Sequence, residues 1–239
     1  SVCVIDNLGR PLKEVKLEKT GSLGPNPAKQ IDEVVNYLSA IAREENITVR
    51  PLWLEPIPAR IYLDKLRVKY AVPAAEPFVL NPLIGEYDDP VNQMQHPMHL
   101  PLTREGNTII YGAAGSGKTT FVTTMLYALL REHTPEEVNL YILDFGSETL
   151  RAFANAPHVG DVLLSHDSEK VSNLFKYLTE EVERRKKQFA DFVGDYLSFV
   201  RAGNRIPSLV VVIHNFSGFM ETYGGLEEHV AYLTREGLK

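Results

Sequence analysis

The segment GAAGSGKT, residues 112–119, decides how this sequence is interpreted. Glycines stand at its first and sixth positions, and Lys118 and Thr119 close it, so it matches the pattern GxxxxGK[ST] at every fixed position. Glycine lets the backbone wrap around an anion without side-chain clash, and the amide groups at the start of a helix attract negative charge. The spacing therefore predicts a phosphate-binding loop (P-loop) for ATP.

The residues predicted to bind the nucleotide are consecutive: Gly112, Ala113, Ala114, Gly115, Ser116, Gly117, Lys118, Thr119 and Thr120. We expect Lys118 to reach the β and γ phosphates and the hydroxyl of Thr119 to ligate Mg²⁺. ATP and Mg²⁺ are therefore the expected cofactors.

The segments around this loop indicate the fold class. Residues 107–111 are predicted as a strand leading into the loop, and residues 118–131 as an amphipathic helix leaving it. Residues 138–143 predict a buried strand that ends at Asp144, and the β-branched run 209–213 predicts another. This alternation predicts an α/β fold, a RecA-like P-loop NTPase with a mostly parallel sheet flanked by helices.

Two further patterns concern helices and domains. One long helix or two shorter ones are expected between Ser168 and about Val200, and apolar residues at helical spacing predict another helix from about residue 31 to 41. Prolines punctuate residues 50–82, which excludes a long uninterrupted helix there. We expect residues 1–75 to form a small N-terminal α+β appendage with a proline-rich connector, in which Trp53 anchors packing, and residues 76–239 to form the ATPase core.

Composition narrows the classes of function. The 239 residues are 44% hydrophobic and 23% charged, with a net charge of −6, and no cluster of basic residues of the kind that binds duplex DNA. The single cysteine, Cys3, excludes a disulfide within the chain and indicates a reducing compartment. No apolar run approaches the ~20 residues of a membrane-spanning helix. The chain lacks an initial Met, so we expect a fragment of a longer protein, with the C-terminal part of the fold missing.

The predicted strand 209–213 lacks the residues that hydrolysis normally requires at its end. An Asp there usually orients Mg²⁺, often with a Glu that polarises the attacking water. This sequence has His214 and Asn215 instead. A neutral imidazole is a poor ligand for Mg²⁺, and an amide is not a general base. The sequence therefore predicts ATP binding with weak or absent hydrolysis.

Asp144 leaves an alternative open. In RecA-like proteins, a catalytic carboxylate can stand at the end of the strand that follows the P-loop helix, and Asp144 occupies such a position, with Glu148 as a weaker candidate. The other interpretation is that Asp144 caps the turn at Phe145 and Gly146.

Taken together, these residues resemble the FtsK/SpoIIIE ATPases, in particular the EssC/EccC branch of type VII secretion. The segments that carry the resemblance are PLWLEPIPARI (51–61), IGEYDDPVNQMQHPMHLPLTREGNTIIYGAAGSGKTT (84–120) and VNLYILDFGSETLRAFANAPHVGDVL (138–163). Active members place Asp-Glu where this chain has His214 and Asn215. That departure is typical of a degenerate internal module, the second of several in tandem.

The resemblance implies a parent protein anchored in the cell membrane with this module on the cytoplasmic face, although the fragment itself is expected to be soluble and cytoplasmic. It implies a hexamer in the full-length protein. Its implied partners are neighbouring ATPase modules of the same chain, small helical WXG-type substrates and other membrane components of the secretion machine, with no nucleic acid.

Three functions follow from these patterns. The first is an ATP-binding module with a structural or regulatory role in a type VII secretion motor. The second is an active, ATP-hydrolysing motor module that drives protein export. The third, a DNA translocase, is disfavoured by the acidic net charge.

Overall fold

The computed structural model describes residues 2–15, 29–47 and 54–237. The chain forms two compact units, residues 1–53 and residues 54–239. Helix α2 (Leu63–Lys69) belongs to the second unit and buries Leu66 there. The boundary between the two units, at residues 53 and 54, thus lies earlier in the chain than the predicted boundary at residues 75 and 76. The division into residues 1–75 and 76–239 stays a prediction. Trp53 lies outside the described residues.

The first unit contains a hairpin and one helix. Strand β1 (Val2–Ile5) pairs antiparallel with β2 (Pro11–Val15). The turn between them is closed by the Asp6 carboxylate, which accepts hydrogen bonds from the backbone N–H groups of Leu8 and Arg10. The predicted helix is confirmed as α1 (Gln30–Glu44), and none of its side chains is buried.

The second unit is built on a parallel sheet. Its strands lie in the order β6 (Val159–Leu164), β5 (Val138–Asp144) and β7 (Ser208–His214). The predicted strands 138–143 and 209–213 are therefore confirmed as β5 and β7. A separate antiparallel hairpin, β3 (Leu83–Asp89) with β4 (Met94–His99), was not predicted.

Helices cover both faces of this sheet. The helices that follow α2 in the described chain are α3 (Leu102–Glu105), α4 (Lys118–Glu132), α5 (Ser168–Phe189), α6 (Tyr196–Arg201), α7 (Phe216–Tyr223) and α8 (Glu227–Glu236). The helical region after Ser168 is thus two helices, separated by a 3-10 turn and by Val193, whose φ of 61° lies in the left-handed region.

The core has one cluster on each side of the sheet. On one side, Leu126 and Leu129 of α4 pack with Leu140 and Ile142 of β5. On the other, α5 and α7 pack with Leu143. Each such fully buried side chain contributes roughly 1.5–3 kcal/mol from the apolar surface removed from water. This two-sided burial fixes α4 and the carboxyl ends of the strands against each other, and the confirmed fold class is a P-loop NTPase with helices flanking a parallel sheet.

The predicted strand 107–111 is wrong. Residues 106–113 have no regular secondary structure, and Ile109 and Tyr111 are 86% and 91% exposed. A strand needs a neighbour to pair its backbone groups, and β7, at the edge of the described sheet, pairs only with β5. Within residues 107–111, the Asn107 side chain donates a hydrogen bond to the Thr234 carbonyl at 2.7 Å.

Candidate functional site

The P-loop runs directly into α4, and its glycines have identifiable backbone roles. Gly115 and Gly117 have φ values of 75° and 90°, a left-handed conformation that other residues adopt only with strain. At Gly112, an added Cβ would lie 2.7 Å from the Ser116 hydroxyl. Helix α4 begins at Lys118, as the sequence predicts. The predicted nucleotide-binding residues thus form one exposed loop and the first turn of a helix.

The Lys118 ammonium is held over this loop. Its Nζ donates hydrogen bonds to the carbonyl oxygens of Gly112 and Ala113, both at 2.8 Å. An ammonium has three N–H donors, so one remains for a phosphate oxygen beside the loop. The geometry places a positive charge at the rim of the cradle, where the motif requires it, and the binding roles of residues 112–120 stay predictions.

The hydroxyl of Thr119 leads into a chain of hydrogen bonds that the sequence did not predict. Its Oγ1 lies 3.1 Å from His214 Nε2, and His214 Nδ1 lies 2.8 Å from Asp144 Oδ1. Asp144 and His214 are direct partners in the parallel register of β5 and β7, so both side chains emerge at the carboxyl ends of their strands. The sheet thus brings together three residues that are distant in sequence.

Both carboxylate oxygens of Asp144 are engaged within the protein. Oδ1 accepts from His214 and from the N–H of Gly146 at 3.1 Å, and Oδ2 accepts from the N–H of Leu150 at 3.0 Å. Burial alone would raise the pKa of Asp144, but hydrogen bonds from His214 and from these two amides outweigh it and lower the pKa. Asp144 is therefore an anion at neutral pH, and it caps the turn after β5.

The charge of Asp144 fixes the tautomer of His214. A carboxylate has no proton to give, so His214 Nδ1 must be the donor, and the neutral ring then presents a lone pair at Nε2. In that neutral form the Thr119 hydroxyl donates to Nε2, and the lone pairs of Oγ1 are left for a cation or solvent. The side chain of His214 is only 14% exposed, so this orientation is well enclosed.

Gly146 makes room for the imidazole. A Cβ added at this position would lie 2.6 Å from His214 Cε1 and 2.7 Å from Nδ1. With His214 in this position, residue 146 must therefore be a glycine for the ring to fit. The only sequence signal for this contact was the Asp-Phe-Gly segment itself.

Asn215 has a structural role at the start of α7. Its φ is 64°, its side-chain amide donates to the Phe145 carbonyl at 3.0 Å, and its Oδ1 accepts from the N–H of Gly218 at 3.4 Å. The side chain therefore ties the end of β7 to the end of β5 and caps the following helix. It offers no base to a water molecule.

The donor set fits the predicted Mg²⁺ only in part. The hydroxyl oxygen of Thr119 is a suitable ligand for this ion, but the nearest second donor is a nitrogen of His214, and Mg²⁺ prefers oxygen. Both oxygens of Asp144 accept hydrogen bonds within the protein and its side chain is fully buried, and Glu148 is exposed and paired with Arg151 at 3.3 Å. The catalytic role of Asp144 and the Mg²⁺ role of Thr119 stay predictions.

Other features of the described residues lie away from this site. Two adjacent cavities of about 490 and 360 Å³, both lined by Thr179 and His229, lie along α5 and α8. Within residues 2–15, 29–47 and 54–237, no group of three or more His, Cys, Asp or Glu side chains could hold a metal ion. None of the described helices has the length and apolarity to cross a membrane.

Comparison with known proteins gives consistent matches. The model of the FtsK/SpoIIIE family matches residues 72–229, about two thirds of the chain. The type VII secretion system protein EssC of Staphylococcus aureus (strain NCTC 8325 / PS 47) is 29% identical over 222 residues, which cover 87% of this chain and 15% of EssC. The ESX secretion system protein EccC of Geobacillus thermodenitrificans is 28% identical over 239 residues, which cover 98% of this chain and 16% of EccC.

Solved structures of EssC and EccC ATPases are similar to this chain in fold. EssC ATPases 2 and 3 from Geobacillus thermodenitrificans superpose with a TM-score of 0.66 at 26% identity, covering 77% of this chain and 34% of that one. Thermomonospora curvata EccC, ATPases 2 and 3 in complex with a signal sequence peptide, gives a TM-score of 0.61 at 28% identity, covering 68% and 31%. The chain is homologous to the EssC and EccC ATPases, and it spans about one sixth of the length of the curated relatives.

Proposed function

The chain belongs to the FtsK/SpoIIIE family, and on that premise we propose that it is an ATP-binding module of a type VII secretion ATPase that holds its nucleotide with little or no hydrolysis. The presence of bound ATP, rather than its hydrolysis, is then the signal. ATP that binds only the folded module stabilises that module and its contacts with neighbouring modules.

The observation that carries this proposal is the hydrogen-bonded chain from Thr119 through His214 to Asp144. In-line attack on a γ-phosphate needs an acceptor for the water or a carboxylate that orients the cation. At the ends of β5 and β7 the carboxylate is Asp144, and three donors within the protein already occupy it. His214 Nε2 is hydrogen-bonded to Thr119 and Asn215 caps a helix, so neither residue supplies a carboxylate that could orient the cation.

The wider assembly is proposed from the relatives. We place this module beside other ATPase modules in a longer chain at the cytoplasmic face of the cell membrane, as a second, degenerate module in a hexamer. Small helical WXG-type proteins are the proposed cargo, other secretion-machine membrane components are the proposed partners, and no nucleic acid is involved. The solved relatives that contain ATPases 2 and 3 support the tandem arrangement.

A thermal-melt experiment tests nucleotide occupancy. We expect millimolar ATP with a divalent cation to raise the melting temperature by roughly 5–10 °C, since ligand at ~100 times its Kd contributes ~2.7 kcal/mol and each kcal/mol is worth ~2–4 °C in a chain of this size. Lys118→Ala should remove the rise. A melting curve that ATP leaves unchanged with every cation tested contradicts the proposal.

One observation favours a second candidate, an active ATPase. Asp144 stands at the end of β5 and is one hydrogen bond away from His214, which contacts Thr119. If this pair acted as a base, steady-state phosphate release would approach the ~1 s⁻¹ of ordinary ATPases and would vanish in Asp144→Ala. We expect release far below that rate in the wild-type chain.

A further inference from the structure

The distance between Thr119 and His214 suits two ligands of one metal ion. Thr119 Oγ1 and His214 Nε2 are 3.1 Å apart, and each has a lone pair available when the hydroxyl proton turns away. Two ligand atoms on neighbouring corners of an octahedron, each at ~2.1 Å from the metal, are separated by about 3 Å. The pair is therefore spaced to share one ion.

The surroundings of His214 are those of a metal-binding histidine. Metal-ligating imidazoles generally donate their second N–H to a carboxylate or carbonyl, which fixes the ring and makes the other nitrogen more basic. Asp144 does this for His214 Nδ1 at 2.8 Å, and its carboxylate is itself held by the amides of Gly146 and Leu150. Gly146 also closes against the ring, so the imidazole cannot swing away on that side.

The remaining ligands would come from the nucleotide. In the proposed complex, Lys118 and the start of α4 hold the phosphates next to Thr119. A transition-metal ion accepts such a mixed set of phosphate oxygens, hydroxyl and imidazole, whereas Mg²⁺ takes oxygen alone with good affinity.

We propose that His214 Nε2 and Thr119 Oγ1 jointly ligate the cation that accompanies the bound nucleotide, and that the site therefore selects a nitrogen-accepting divalent transition-metal ion over Mg²⁺. This inference rests on the proposed nucleotide binding and adds the class of ion. It makes His214 a ligand where its family position normally supplies a carboxylate.

Calorimetric titration of ATP tests the choice of ion, with Co²⁺ or Mg²⁺ as the only divalent ion in the buffer. We expect ATP to bind about tenfold or more tightly with Co²⁺. The matched variant is His214→Asn, which is similar in size and lacks the imidazole, and it should bring the two affinities together. Asp144→Asn should weaken ATP binding with Co²⁺ more than with Mg²⁺, because the ring loses its orienting carboxylate.

A spectroscopic readout separates ligation from a purely structural role. The visible absorption of the Co²⁺–ATP complex should change on binding to the wild-type chain and stay unchanged with His214→Asn, whose folding is checked by its melting curve. Equal ATP affinity with Co²⁺ and Mg²⁺ in the wild type, or a preference that survives in His214→Asn, overturns the inference while leaving nucleotide binding intact. Absence of ATP binding with either ion, and no effect of Lys118→Ala, instead overturns the proposed function.

Discussion

Enclosed histidines lie at both ends of the parallel sheet, but the hydrogen bonds of their ring nitrogens differ between the two ends. At the carboxyl end, His214 uses both ring nitrogens, one toward Asp144 and one toward Thr119. At the amino end, His133 Nδ1 lies 2.9 Å from Glu137 and His158 Nε2 lies 2.8 Å from the His133 carbonyl. Within the described part of the chain, His133 Nε2 and His158 Nδ1 have no hydrogen-bond partner.

The difference favours the carboxyl end as the binding site. A buried polar atom without a partner costs roughly 1–3 kcal/mol, so the amino end tolerates a cost that the carboxyl end avoids. A fully bonded imidazole has a fixed ring plane and a fixed tautomer, and its lone pair points in one direction. A binding site needs a ring with a fixed orientation, whereas a histidine that only fills space in the interior does not.

The largest expected effect comes from removing the anion at the carboxyl end. Asp144→Ala leaves three donors without an acceptor in a buried place, those of His214, Gly146 and Leu150. At roughly 1–3 kcal/mol for each donor that water cannot reach, we expect a loss of about 3 kcal/mol or more in the free energy of unfolding. Urea titration followed by circular dichroism measures this loss, and a change below about 1 kcal/mol would contradict the account of the network.

A smaller effect is expected where the ring is only displaced. In Gly146→Ala, the new methyl group would lie within 2.7 Å of two atoms of His214, and overpacking of this kind costs about 1–3 kcal/mol. The ring must shift, so the bond to Thr119 should weaken and ATP affinity should fall along with stability. Gly194→Ala is not a matched control because its φ is 70°, whereas Gly85→Ala meets nothing within 4 Å and is the suitable comparison.

The smallest effect is predicted at the amino end. His133→Leu removes the unpartnered Nε2 and loses one hydrogen bond to Glu137, which still accepts from the N–H of Thr134 at 3.2 Å. Removing the unpartnered nitrogen should stabilise the fold by about 1 kcal/mol, and losing the hydrogen bond should destabilise it by about the same amount. The melting temperature should therefore change by less than ~4 °C, and the response to ATP should persist. A collapse of the melting temperature would show that the amino end depends on its histidine as strongly as the carboxyl end depends on Asp144.

The sequence predicted the elements of the site better than their contacts. The spacing of GAAGSGKT predicts the start of α4 at Lys118 because the motif ends its glycine-rich loop with Gly117, whose positive φ precedes the first helical residue. The β-branched run before His214 predicts β7 for a similarly local reason. Both predictions are confirmed because the start of a helix and the presence of a buried strand depend on backbone geometry and burial within a few consecutive residues.

The bond between Asp144 and His214 needed information that is not local. The two residues are 70 positions apart and meet because β5 and β7 pair in parallel register, which no pattern within either strand specifies. The same reason explains the wrong strand at residues 107–111, whose apolar, β-prone residues indicate a strand only if a neighbour exists to pair with them. Sequence reasoning identified Asp144 as a cap or a catalyst, and the structure shows the cap together with a role in orienting the imidazole.

The edge of the sheet at β7 has a practical consequence for anyone who handles this chain. Among the described strands, β7 pairs on one side only, and the exposed Ile109 and Tyr111 stand in a segment that pairs with nothing. An unpaired strand edge is a template for edge-to-edge association, and exposed apolar side chains elsewhere on the surface add to this tendency. Concentrated solutions of the chain should therefore be prone to self-association through backbone pairing, and a lysine introduced at Ile109 or a proline at Tyr111 should improve their colloidal behaviour.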